Sequence, residues 1–544
     1  MSERVAGASA AQTVAAHPPL SVAITTIGVM AVGMIGSTIS SQLVDLDIAD
    51  VGGGFSVSAD DASWIACIAT MAEVVSIPIA AILVRALSLR RVAIYSALVY
   101  LVCACMSLLV SGEDGLIVLR AMQSFCSGTI SVLMFVSVMA TLPPGFARTI
   151  GLALFCFAST APSALNASAG AFVTERWGWQ GLYYFDITWG LTFFLLTWRF
   201  LRPTPRAMRL AEIDWLGYAI LAVGLAGFIL FVKQGDRFFW LDNPVIRHAG
   251  FIAAIALPLA LALLLFSRRP LLDLGLMASP TFGWAIALAT FYRFGLVMTA
   301  FVVPQTLMRL QAFRMPEIAE ANIWSFWAQC VSFPLAWLWA SRGDARQPLS
   351  VGLGLFAAGA FVATWLTAQW QANDFRLAMI LVGLGEGLFL VPTVFYATRD
   401  VKPEQGPTAA ALFNLSRIVG QTFGTGMVAA LIRDREDFHS AQLVDSVNNA
   451  NSAVAERLHE MVERFLATNG NATIATKQAW ASLSATLSNQ AYVLAFADAF
   501  VIIAAVLGVS ALLVLMLPQL HPKSARTSTP TAGAPAMVNS GNPP

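Results

Sequence analysis

Residues 115–140 read GLIVLRAMQSFCSGTISVLMFVSVMA, a run that is apolar for most of its length and carries a single charge, Arg120. A stretch of roughly twenty such residues is what an α-helix needs to cross ~30 Å of hydrocarbon. Working outward, about fourteen stretches of this kind punctuate the chain. Of its 544 residues 57% are hydrophobic and 12% charged, and the mean hydropathy is +0.70, values that exclude an ordinary soluble domain. Unpaired backbone groups are intolerable in lipid, and the runs lack the alternation of barrel strands, so an all-α polytopic membrane protein is expected.

The expected spans are Leu20–Leu43, Ser63–Val84, Val92–Ser111, Gly115–Ala140, Thr149–Val173 and Gly181–Leu201, then a hairpin at Trp215–Gln234 and Ala249–Ser267. Six more follow at Phe282–Met308, Ile318–Ala340, Leu349–Gln369, Phe375–Thr398, Thr408–Ile432 and Ala491–Leu517. The organisation is therefore a tail (1–19), a six-helix bundle (20–201), a linker with the hairpin (202–280), a second bundle (281–517) and a tail (518–544). The second bundle includes a long outer loop, 433–489. The last tail, rich in Pro, Ser, Thr and Ala, is expected to be disordered, and the first lacks the features of a removed signal peptide.

Arginines set the orientation, because short cytoplasmic loops hold the Lys/Arg excess. Arg85, Arg90, Arg91, Arg148, Arg199, Arg202, Arg206, Arg209, Arg268, Arg269, Arg342, Arg346, Arg399 and Lys402 all fall on one side, whereas Asp45, Asp47, Asp50, Asp60 and Asp61 share the first loop on the other. Both termini are expected in the cytoplasm of a cell whose inner membrane holds the protein. A net charge of +1 gives no basic field for nucleic acid. The six cysteines lie within spans without metal-ligand spacing, and the five histidines lie in tails, loops or at a span end. Neither a phosphate-binding loop nor a nucleophile elbow is present, so no cofactor, no metal and no enzymatic activity are expected.

Charge inside the membrane is the informative signal, since each ionised group costs ~2.5 kcal/mol or more there. Glu73, Arg120, Arg293 and Glu386 stand out, with Arg417 and Asp498 behind them. Glu73, Glu386 and Asp498 are candidates to carry protons, or else members of permanent ion pairs. Gly383, Gly385, Gly387 and Pro392 around Glu386 suggest an irregular, cavity-lining helix. Arg120, Gln123, Ser124, Ser127 and Gly128 share one helical face that must look inward. Arg293, beside Tyr292 and Phe291, suits an anionic or aromatic substrate or a local ion pair. Phe291, Tyr292, Met298, Trp324, Trp327 and Phe389 are available to line an apolar cavity or simply to pack. In the outer loop, Val454, Leu458, Met461, Val462, Phe465 and Leu466 repeat at helical spacing, predicting one amphipathic helix that lies on the bilayer or caps the protein.

LRAMQSFCSG (Leu119–Gly128) resembles a motif of the major facilitator superfamily. EIDWLG (Glu212–Gly217), GDRFFWLDNP (Gly235–Pro244), PLLDLGLM (Pro270–Met277), NLSRIVGQTFGTG (Asn414–Gly426) and QAYVLAFADAF (Gln490–Phe500) resemble the EmrB/QacA-type fourteen-span drug:proton antiporters. The resemblance runs from Leu20 to Leu517. It implies two six-helix bundles rocking about a central cavity lined by spans one, four, nine and twelve, with the hairpin inserted between them. It also implies export of lipophilic drugs, uncouplers, fatty or aromatic acids or secondary metabolites in exchange for protons. Arg120, Gln123, Arg293, Asn414 and Arg417 would serve the cavity and its conformational coupling, and Arg85, Arg90 and Arg91 a gating loop. A periplasmic adaptor and an outer-membrane channel are implied as partners.

Three departures accompany the likeness. Gly36 stands where span one of such antiporters has an acid. The gating loop, AAILVRALSLRRV (Ala80–Val92), lacks the usual glycines and Asp. The span-five motif survives only as a hinge of Pro162, Asn166, Ala169 and Gly170. An uncoupled facilitator or uptake carrier, and more remotely a receptor or scaffold, stay open on these grounds.

Overall fold

The computed structural model describes residues 18–46, 52–53, 57–110, 112–204, 208–267, 270–447 and 452–516. The expectations for the two tails, and for His17, Asp47, Asp50, Arg206, Arg268, Arg269 and His521, lie outside the described residues. Within them every regular element is helical. The first bundle comprises α1 (Leu20–Leu46), α2 (Ala59–Leu87), α3 (Leu89–Ser107), α4 (Glu113–Thr141), α5 (Phe146–Trp177) and α6 (Gln180–Phe200). The hairpin is α7 (Trp215–Gly235) and α8 (Pro244–Phe266). The second bundle begins with α9 (Pro280–Gln311), α10 (Met315–Arg342), α11 (Arg346–Ala363) and α12 (Arg376–Thr398), and continues through α13 (Gly406–Ser446), α14 (Ser452–Asn469) and α15 (Ala472–Leu515).

Eleven of these helices are long and apolar enough to cross a membrane. The other three expected spans, α6, α10 and α11, are present as helices but fall short of that measure. Tyrosines and tryptophans dilute α6, Glu317 and Glu320 open α10, and α11 has only 18 residues, beginning Arg346–Gln347. The expected spans are thus all helical, with α14 an additional helix between the last two, while the hydropathy of the described residues supports eleven crossings.

The outer loop differs from its expectation. The amphipathic helix forms as α14 but does not stand alone, because α13 and α15 run on through residues 433–446 and 472–490. Their 41 and 44 residues make rods of ~60 Å or more, twice the hydrocarbon thickness. No Gly or Pro interrupts residues 427–469 or 471–507, so nothing stops either helix at the membrane surface. Asn471 caps α15, its side chain accepting from the amides of Thr473 and Ile474, and α14 packs back onto α15.

Each bundle is closed by its own helix contacts, α1 with α4, α5 and α6 in the first and α12 with α9, α10 and α11 in the second. The hairpin leans on α2 and α13, and the bundles meet along α2–α13, α4–α13, α5–α10 and α5–α12. Toward the arginine-rich face this seam is shut. Phe135 of α4 and Phe155 of α5 pack on Phe413 of α13, with ring centroids 6.2 and 5.8 Å away. Trp337 of α10 donates to Thr149 of α5 at 3.1 Å and packs on Phe146. Residues 126–139 of α4 and 385–394 of α12 are accordingly buried on all sides.

A buried charge network at the bundle seam

Arg120 is 2% exposed. Its guanidinium donates to Asp186 of α6 at 3.3 Å, to Gln123 at 3.4 Å and to the Ser40 carbonyl of α1. Ser40 also bonds the Tyr100 hydroxyl of α3. The polar face expected on α4 is buried as a whole, and Gly128 at its end lies directly against Ser76 and the Glu73 carbonyl of α2. Arg120 thus ties α1, α4 and α6 inside the first bundle. The sequence reading missed Asp186, although the rule that singled out Arg120 applies equally to an acid inside the expected span Gly181–Leu201.

Gly36 has a structural cause on the same helix. The Trp189 indole, one turn after Asp186, lies where a side chain at position 36 would go, and its Nε1 donates to the Val32 carbonyl at 3.1 Å.

Glu73 pairs with Arg417 across the seam, 3.1 Å from Oε1 to Nη2. Glu386 sits where both bundles converge and is 2% exposed. It accepts from Gln329 Nε2 of α10 at 2.6 Å. The hydroxyls of Tyr292 and of Thr160, the latter from the opposite bundle, also face it, with Arg293 in electrostatic reach. Cys156 of α5 meets the Leu390 carbonyl one turn along α12. Gln329 and Thr160 gave no sequence signal, since uncharged polar residues are ordinary in spans. Asn414 is fully buried and donates to the Ala410 carbonyl of its own helix.

The expected irregularity of α12 is absent. The helix is continuous through Pro392, and its glycines serve close packing: Gly383 and Gly387 lie on Ser325 and Ser332 of α10, and Gly385 on Gly352 of α11. The break falls instead in α9, as a π turn at Met298–Val302, five residues past Arg293.

The aromatic candidates divide. Tyr292, Met298 and Phe389 are buried, Tyr292 stacking on Phe389 at 4.6 Å, and Trp324 lies under Arg376. Phe291 and Trp327 are 58% and 59% exposed on the outer surface, because neighbouring helical residues point ~100° apart. Phe291 there borders an apolar groove between α9 and α15, with Trp284, Val506 and Val509. Asp498 also lies apart, held by Arg435 at 2.6 Å and His439 at 2.8 Å where α13 and α15 begin to extend.

At the positions expected to form a hinge, Pro162 lies within an unbroken α5, Asn166 donates to Gln42 of α1, and Gly170 fits against Leu43. Among the residues expected to gate, Arg90 donates to the Trp198 carbonyl at 3.0 Å, the Arg85 carbonyl accepts from Met208, and Arg91 is exposed.

Two helical bundles, a charge-bearing seam and a family model for the Major Facilitator Superfamily that matches residues 20–425 converge on one conclusion. The chain belongs to the Major Facilitator Superfamily. It is thus a multi-pass membrane transporter rather than an enzyme. It is 21% identical over 425 residues to the multidrug export protein EmrB of Escherichia coli (strain K12), covering 76% of this chain and 81% of that one. It is likewise 21% identical over 439 residues to the fatty acid resistance protein FarB of Neisseria gonorrhoeae, covering 78% and 84%. Among solved structures, the proton:xylose symporter XylE superposes with a TM-score of 0.57 at 13% identity, over 92% of this chain and 97% of that one. The human organic anion transporter MFSD10 does so with 0.56 at 12%, over 90% and 100%. Both likenesses show the fold.

Proposed function

We propose that this protein exports lipophilic or amphipathic small molecules by alternating access, in exchange for protons. The observation that carries this reading is Glu386, a carboxyl buried at the junction of the two bundles and touched by residues of both. An acid there senses proton and bundle position together. Its likeness to EmrB and FarB supports export and an amphipathic substrate. Domain boundaries follow the two bundles and the hairpin. With the arginine-rich loops in the cytoplasm of an inner-membrane protein, the seam is closed to the cytoplasm and rocking would open it.

In this cycle Glu386 or Glu73 takes a proton from outside, substrate leaves, and deprotonation inside resets the cavity. A proton moving down ~150 mV releases about 3.5 kcal/mol, enough for a several-hundred-fold gradient of a neutral compound. The protruding ends of α13 and α15 with α14 would offer a periplasmic adaptor, and through it an outer-membrane channel, a firm platform. Gly36 favours a second reading, an uncoupled carrier, because α1 brings no acid to the centre.

Efflux of a lipophilic panel from energised cells and everted vesicles, at several pH values, tests the proposal. Proton-linked efflux that disappears in Glu386→Gln or Glu73→Gln supports it. Equilibration without accumulation, indifferent to collapse of the proton gradient, would establish the uncoupled carrier instead.

A further inference from the structure

We propose that Arg293 binds the head of an amphipathic carboxylate, which replaces Glu386 as its counter-charge and leaves Glu386 to take up a proton. This rests on the transporter reading above and names the ligand chemistry of its central site.

Arg293 is 2% exposed, and neither its Nε nor its Nη2 has a hydrogen-bond partner. Buried donors without acceptors are costly, most of all on a charged group. Arg120, equally buried, has a carboxylate, a carbonyl and an amide oxygen, so burial of an arginine does not by itself leave its nitrogens unpartnered. The acid in its electrostatic reach, Glu386, is hydrogen-bonded by Gln329, with the hydroxyls of Tyr292 and Thr160 facing it. Arg417, close by on α13, is committed to Glu73, and Gly420, one turn on, brings that helix against Arg293.

A carboxylate supplies what is missing, two oxygens matching the guanidinium fork. A cation would meet two converging arginines instead. The apolar body of such a ligand has aromatic neighbours in Tyr292 and Phe389, and an aliphatic or aromatic tail satisfies them equally.

Charge fixes the consequence. Arg293, Arg417, Glu73 and Glu386 cancel, and an added anion leaves one net negative charge in a medium where that is expensive. A proton on Glu386 restores neutrality. Anion binding and protonation of Glu386 therefore favour one another, reciprocally. An acid bound in this way moves together with a proton, whereas exchange, in which substrate and proton exclude each other, is left to neutral amphiphiles.

The test uses the full-length protein in nanodiscs and three ligands with one apolar body: 1-naphthoate, 1-naphthylmethylamine and 1-naphthalenemethanol. Naphthoate should bind preferentially and draw about one proton per ligand from a weakly buffered medium. Arg293→Gln should weaken naphthoate on the order of 10- to 100-fold while sparing the alcohol, and Arg293→Lys should weaken it less. Glu386→Gln should bind naphthoate at least as tightly and without proton uptake, a readout that survives should Arg293→Gln fail to fold. Equal binding of the three head groups, or proton release on binding, overturns the inference. Vesicle efflux separates the two proposals: binding as described without efflux defeats only the exporter reading, and efflux with binding blind to the head group defeats only this one.

Discussion

Glu73 on α2 and Arg417 on α13 are joined by a 3.1 Å ion pair that crosses between the bundles, with side chains 14% and 9% exposed. An attractive pair so placed holds the bundles together midway through the membrane, and either member alone would be a buried charge. Glu73→Ala should therefore destabilise the folded protein by on the order of 3 kcal/mol. The swapped pair Glu73→Arg with Arg417→Glu should recover much of that loss. Thermal unfolding of the purified variants checks this, and no recovery in the swap would mean that local packing at Glu73, not the pairing, accounts for the effect.

Gly36 is occupied by its neighbour. Because the Trp189 indole fills the space of a Cβ at that position, Gly36→Ala should cost about 1–3 kcal/mol by overpacking. In a Trp189→Ala background the same change should cost much less, since the obstacle is gone. The melting temperatures of the four proteins form a double-mutant cycle, and strict additivity would argue against the contact.

Ser88 turns the chain from α2 into α3 with φ +99° and ψ 149°, a region essentially reserved for glycine. This is the loop that the family resemblance expects to gate, and it lacks the glycines usual there. Ser88→Gly should raise stability by on the order of 1 kcal/mol, seen as a higher melting temperature. An unchanged or lower one would show that the turn relaxes without strain.

Asp236, just beyond α7, is pushed above the ordinary aspartate value of 3.8 because burial outweighs the nearby Arg433. The folded state thus holds that proton more tightly than the unfolded one. Its contribution is fully present below about pH 3.8 and is lost as pH rises through the raised folded value. As pH rises through the raised folded value the ionised carboxylate is held at a net cost, so Asp236→Asn should melt at the same or a higher temperature at pH 7 and lose that advantage toward pH 3. A melting temperature that falls only at pH 7 would mean that the 3.0 Å contact with Arg433 outweighs burial.

The sequence by itself determined the helices and their order, because a run of apolar residues dictates its own backbone state in lipid whatever lies beside it. Positions such as Glu73, Arg120, Arg293 and Glu386 were legible for the same reason, a charge among apolar neighbours. What only the tertiary structure decided is which groups meet. Glu73 and Arg417 are 344 residues apart in the chain, Gln329 reaches Glu386 from another helix, and the acid that answers Arg120 is Asp186 of α6. Helical periodicity gives a residue's direction on its own helix but not the rotation of that helix within the bundle. That rotation placed Phe291 and Trp327 outside and filled Gly36's space with Trp189. It also turned the glycines around Glu386 from an expected break into a packing seam, because side chains on adjacent helices compete for the same volume.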